Sequence, residues 1–227
     1  MGKSPWLVWQ LVDSAFPAGG FAHSYGLEAA WQQGEVDAAS LPAFVRDSIA
    51  QAGHSGLPFV LAGYDATQTA ALAAGAAVTV APGAVLIDER CDAFLRNPVA
   101  NRASRVQGRA WAGTIARSFP SVDVRAVGCR HFAPLFGATL RALGVERDET
   151  ARMFLFGAAR GTLSAAVRLG IVGTNEAQRV LSERSEDLDR TIRRCGDLAI
   201  DDAAQTSPLI DLWQASHDRL YSRLFQS

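Results

Sequence analysis

Four clusters in this sequence combine residue types that can do chemistry. The first is Pro17–Glu28, PAGGFAHSYGLE, which gathers a histidine, a serine, a tyrosine and a glutamate behind two adjacent glycines. A phosphate cradle of the P-loop kind needs a lysine after its glycines, and none follows here. Pro17, Gly19 and Gly20 suit a tight reversal, with Phe21, His23, Ser24, Tyr25 and Glu28 at its exit. That pattern fits a rigid contact loop or a well-packed helix hairpin. The second cluster, Gly53-His54-Ser55-Gly56, places a serine in a glycine-rich turn. The nucleophile elbow G-x-S-x-G would require glycine at 57, where this chain has Leu57. The third, Cys129-Arg130-His131, offers a thiolate and an imidazole to a transition metal. The chain's histidines stand at 23, 54, 131 and 217 without an H-x-x-x-H pair, so a buried cysteine beside a hydrogen-bonded histidine is the plainer reading. The fourth is a stripe, Arg102, Arg105 and Arg109, at helical spacing i, i+3 and i+7. It reads as a solvated face or as a dock for carboxylate or phosphate oxygens.

The elements that must position these clusters read as helices. Ser4-Pro5 opens a first helix that runs to about Ser14. Phe16-Pro17-Ala18-Gly19-Gly20 breaks it, and a second runs from Phe21 to Gly34, a C-terminal cap. Ser40-Leu41-Pro42 starts another that stops near Gly53. Further helices are predicted around 57–75, 83–95, 99–119, 134–143, 148–169, 175–194 and 207–221. Val122–Val127 alternates as a short strand would, with nothing to pair with. Gly157, Gly161 and Ala165 recur every four residues, a smooth strip that lets a helix approach closely, from within the chain or from a second copy. The fold class predicted is all-α, a single compact bundle of about eight to ten helices over residues 1–227.

Composition narrows the function classes. The chain holds 40 alanines, 21 arginines and one lysine, Lys3, with 48% hydrophobic and 20% charged residues, enough for a core and too little net charge for disorder. A net charge of −1 removes the overall pull that nucleic-acid binding relies on. Cys91, Cys129 and Cys195 are odd in number and far apart, which argues against a disulfide framework and for a reducing, cytoplasmic setting. Residues 1–13 do not read as a signal peptide, and Ala66–Ile87, uncharged but interrupted by glycine, proline and threonine, reads as helix, break and helix rather than a membrane span.

Blocks along nearly the whole chain resemble the urease accessory protein UreF family. The segment from Trp9 to Glu28 is similar to the family's N-terminal signature. Arg102-Ala103-Ser104 with Gly108-Arg109 resembles its middle helix, and His131-Phe132-Ala133-Pro134-Leu135-Phe136-Gly137 its H-x-P-x-x-F-G segment with the proline displaced by one. Ser164-Ala165-Ala166-Val167-Arg168-Leu169-Gly170 resembles its late helix, and Tyr221-Ser222-Arg223-Leu224-Phe225-Gln226-Ser227 its terminus. The chain departs from the family at Gly173-Thr174, where Gly-Gln is expected.

The resemblance implies an all-helical homodimer with no catalytic residues, no metal ligand set and no tightly bound cofactor. It implies a scaffold that binds UreD (also called UreH) and recruits the GTPase UreG. The complex inserts nickel into apo-urease, with this chain modulating the GTPase and forming part of a nickel route. A partner-binding tail is expected at about 206–227, ordered on a UreD-type partner, with Tyr221, Arg223, Leu224 and Phe225 at the interface. Arg223 is expected to fold back near the Phe21–Tyr25 loop. Glu28, Arg109, Arg168 and the Pro17–Tyr25 loop are expected at partner-facing surfaces. The alternative is a helical hydrolase or metal-binding enzyme using His23 and Ser24 or Cys129 and His131.

Overall fold

The computed structural model describes residues 5–68, 79–80, 83–123 and 128–227. Proline at the first turn and glycine or proline at the breaks divide the chain into helices. These are α1 (Pro5–Val12), α2 (Leu27–Gln32), α3 (Leu41–Ser55), α4 (Leu57–Asp65), α5 (Gly83–Phe94) and α6 (Pro98–Ser118). They continue with α7 (Phe132–Ala142), α8 (Arg147–Arg168), α9 (Thr174–Glu183), α10 (Ser185–Cys195) and α11 (Pro208–Ser216). One two-residue antiparallel pair, β1 (Thr67–Gln68) with β2 (Thr79–Val80), is the only strand pairing among the described residues. The fold is all-α.

α4 lies at the centre and is apolar all round, burying Leu57, Phe59, Val60, Leu61 and Tyr64. Its closest neighbour is α7, and glycine sets their separation. A Cβ on Gly137 would stand 1.8 Å from the Val60 carbonyl oxygen, and one on Gly63 would stand 2.3 Å from that of Pro134. Around this crossing the rings of Phe16, Phe132 and Phe136 pack on buried Trp111, whose Nε1–H donates to Thr139 Oγ1 at 2.8 Å. A second apolar cluster joins α2, α3, α8 and α9 and takes Phe225 from the C-terminal tail.

Three boundaries differ from the sequence reading, each for a long-range reason. The helix predicted over 175–194 is two helices that break at Arg184, so that α9 buries Ala177 and Val180 while α10 turns Thr191 and Cys195 onto Gly53 of α3. The helix predicted over 57–75 ends at Asp65, before β1. The helix predicted from Phe21 to Gly34 starts only at Leu27, after a single 3-10 turn at Gly20–Ala22, because the backbone extends at His23 and adopts positive φ at Tyr25 (55°) and Gly26 (88°). The predicted strand at Val122–Val127 falls largely outside the described residues, as does much of Ala66–Ile87. No described helix is long and apolar enough to cross a membrane.

Candidate functional site

The Pro17–Glu28 loop is pinned from beneath by α6 and α8. Thr114 Oγ1 donates to the Pro17 carbonyl at 2.9 Å, and Gly19, at φ 80°, has room for no side chain against Ala110. Tyr25 turns its ring onto Gly161, which gives one member of the small-residue strip an intrachain purpose; Gly157, by contrast, has nothing within 4 Å of its Cβ position. Burial pushes the Tyr25 phenol up to about 12, against the opposing hydrogen bond with Gln107 and the charge of Arg160.

The C-terminal residues close over this loop. Gln226 N–H donates to the Ala22 carbonyl at 2.8 Å, and Ser24 N–H donates to the Ser227 carbonyl oxygen at 2.6 Å. Ser24 Oγ–H donates to that same oxygen at 3.0 Å, and the His23 Nδ1 pairs with Ser227 Oγ at 2.6 Å. Glu28, only 1% exposed, fastens the tail one step earlier. Its carboxylate accepts from Leu224 N–H at 2.6 Å, Phe225 N–H at 3.2 Å and His217 Nε2 at 2.9 Å. Outside this clasp the Arg168 guanidinium lies between two aromatic faces, 3.8 Å from the Phe21 centroid and 4.2 Å from that of Phe225, and donates to the Phe21 carbonyl.

The tail therefore folds back as expected, but the residue that reaches the loop differs. Phe225 to Ser227 occupy it, while Arg223 turns outward and donates to Asp218 at 3.3 Å. Asp218 also holds Arg102 Nη2 through both oxygens, at 2.8 and 2.9 Å, tying tail and α6 together. His23, Ser24, Glu28 and Phe225 are buried in the clasp, whereas Phe21, Tyr221 and Leu224 are exposed at 69%, 104% and 52% and form its outer edge. Arg109 lies exposed on α6, some distance along the helix from the arginine that Asp218 holds. Sequence reasoning did not find the His217–Glu28 contact or the Arg168 sandwich. One signal was present: Glu28 sits in Leu27-Glu28-Ala29-Ala30, an acid inside an apolar run, the pattern of a buried and partnered charge.

The other clusters are occupied in structural roles. His131 is fully buried, with Nε2 on Asp92 at 3.0 Å and Nδ1 on Ser104 Oγ at 3.1 Å. Ser104 Oγ also accepts Phe132 N–H at 3.2 Å, and Asp88 accepts the Arg130 and His131 amides at 2.8 Å each, so this network seals the start of α7. Hydrogen bonds from Asn101 and then Arg105 hold the Asp92 carboxyl well below the usual carboxylate range. Burial pushes the Cys129 thiol up to about 12 and raises Cys91 further, so both stay protonated. Among the described residues no three His, Cys, Asp or Glu side chains converge to hold a metal ion. His54 Nδ1 bonds to the Ala50 carbonyl within α3, away from Ser55 Oγ, which bonds to Gln51.

The clasp makes a pH prediction. Burial, followed by the nearby His217, lowers the His23 imidazole to about 4 from its ordinary 6.5. Above pH 6.5 both folded and unfolded chains are neutral at this residue and the clasp keeps its full contribution. As pH falls from about 6.5 to about 4, the unfolded chain takes up a proton that the folded one refuses, and stability drops by about 3 kcal/mol. Urea unfolding across that range should show the drop. His23→Asn should flatten this part of the profile; an unchanged profile would remove His23 from the account.

Comparison with known proteins agrees with the residue pattern. The UreF family model matches residues 36–184. The chain is 35% identical to the Urease accessory protein F of Oryza sativa subsp. indica, over 98% of this chain and 85% of that protein. It is 34% identical to the Urease accessory protein F of Arabidopsis thaliana (98% and 92%), and 30% identical to the Urease accessory protein UreF of Arthrobacter sp. (strain FB24) (96% and 95%). With a family match across most of the chain, and relatives that align from the N-terminal loop to the tail that covers it, this protein belongs to the UreF family of urease accessory proteins.

Proposed function

We propose that this chain is a non-catalytic adaptor of urease maturation, which joins a UreD-type (UreH-type) protein to the GTPase UreG so that nickel reaches apo-urease. The observation that carries the reading is the clasped tail. Around it Phe21, Tyr221 and Leu224 are exposed and Arg223 is half exposed, and exposed aromatic and arginine side chains of this kind are favoured anchors at protein interfaces. A homodimeric, cytoplasmic protein that modulates the GTPase is part of the same proposal.

Nickel in this scheme is cargo. A cavity of about 630 Å³ runs between the loop, α6, α7 and α8, lined by Phe16, Tyr25, Trp111 and Phe136, with sparse donors such as His23 at its walls. Dispersed donors favour passage over retention, because tight binding needs three or four converging ligands.

Arg223→Ala tests the adaptor reading. The side chain is half exposed and holds one long ion pair, so the unfolding midpoint should stay unchanged. Co-expression with the UreD-type and UreG-type proteins should then recover at least about tenfold less partner with the variant, a loss an interface arginine commonly produces. Unchanged recovery of both partners would overturn this assignment.

A further inference from the structure

The turn from α5 into α6 carries a shallow pocket of about 420 Å³ whose walls are unusual in charge. Four of its seven lining residues are arginine, Arg96, Arg102, Arg105 and Arg109, and none is acidic. The whole chain has a net charge of −1, so this concentration of positive charge is local rather than a reflection of bulk composition. Acidic groups at the margin already have partners. Asp218 is shared between Arg102 and Arg223, Asp92 between Arg105, Asn101 and His131, and Asp211 accepts from Asn97. Arg96 and Arg109 have no ion-pair partner among the described residues, and Arg105 Nε is buried without a hydrogen-bond partner. Like charges gathered this way repel one another, and an incoming anion relieves that repulsion.

We propose that this pocket docks an acidic helix of a protein partner. Guanidinium forks match carboxylates in pairs, and the two arginines tied down by Asp92 and Asp218 are already ordered for a further contact. The spacing selects the shape of the ligand. Arg102, Arg105 and Arg109 lie along about 10 Å of one helix face, and a second helix with acids at i, i+3 and i+7 presents carboxylates at the same intervals. Leu95 and Pro98 supply an apolar end for such a helix to rest on. The site is shallow and lacks an aromatic platform, which disfavours an enclosed nucleotide and suits the surface of a protein. The proposal rests on the adaptor reading only in taking the ligand to be a protein.

The test uses the full-length chain and a fluorescein-labelled alanine-based helical peptide with glutamates at i, i+3 and i+7, beside a twin with lysines there. Anisotropy should report binding of the glutamate peptide alone, weakening several-fold between about 50 mM and about 300 mM salt. The exposed pair Arg96→Glu with Arg109→Glu should raise its Kd at least about tenfold while the circular dichroism spectrum and unfolding midpoint stay unchanged, and Arg109→Lys alone should retain most of the binding. Equal binding of both peptides, no binding, or a double variant that binds as the parent does would overturn the proposal. Displacement of the peptide by micromolar inorganic pyrophosphate would also overturn it and reassign the pocket to phosphate. This assay reads the pocket alone, so it fails or succeeds separately from partner recovery with Arg223→Ala.

Discussion

Glu28→Ala is expected to unfasten the tail and lower stability by about 3–5 kcal/mol, because it removes one carboxylate from three buried donors at once. The Leu224 and Phe225 amides and the His217 imidazole lose their acceptor, and no water reaches a site whose carboxylate is 1% exposed. Glu28→Gln is expected to rescue little, since its amide group would turn a donor towards donors. The Phe225 ring should then leave the second core cluster and the Arg168 sandwich. Urea unfolding checks the energy, and hydrogen exchange at residues 224–227 checks the place. A Glu28→Ala chain within about 1 kcal/mol of the parent, with its tail amides still protected, would show that the clasp is held by something else.

Gly137→Ala is expected to have the largest effect on the fold, a loss of at least about 3 kcal/mol, since overpacking a close helix crossing displaces backbone rather than side chain. The added methyl would sit 1.8 Å from a carbonyl oxygen of α4, and α4 and α7 share the most extensive helix contact among the described residues. Separating them would open the cluster around Trp111. Gly157→Ala is the matched control. It adds the same methyl to a helix where nothing stands within 4 Å, so it should gain about 0.5–1 kcal/mol from helix propensity. Urea midpoints of the two variants should move in opposite directions. Loss of stability at Gly157, or tolerance at Gly137, would mean that the crossing is set by other contacts.

What the sequence made legible follows from how local each signal is. Proline beside a capping residue placed the starts of α1 and α3, and the Pro-Ala-Gly-Gly run placed the loop between α1 and α2. The clasp itself was only half legible. The resemblance gives a tail ordered on a partner and the sequence suggests Arg223 for a fold back onto the loop, but which tail residue meets the loop depends on Glu28 and His217, which are 189 residues apart. Arg223 and Phe225 were equal candidates by type, and geometry separates them into a surface arginine and a buried ring. The break at Arg184 was hidden for another reason: Ser182-Glu183-Arg184-Ser185 contains no helix breaker, and only the need to bury two faces in different directions interrupts it. The arginine stripe on α6 was read correctly as a stripe, while its relation to Asp218 and the tail required the fold.

The hydrogen bonds that close the clasp join residues 203 and 204 positions apart. A ribosome adding about 5–20 residues per second therefore finishes the tail roughly 10–40 s after the loop it covers. During that interval His23, Ser24 and Glu28 have no lid, and the edge formed by Phe21, Tyr221 and Leu224 does not exist. A nascent or prematurely ended chain can fold most of its helices and still lack the surface proposed for its partners. The tail thus acts as a late check on the assembly proposed here: a chain not yet made as far as Phe225–Ser227 would lack this face.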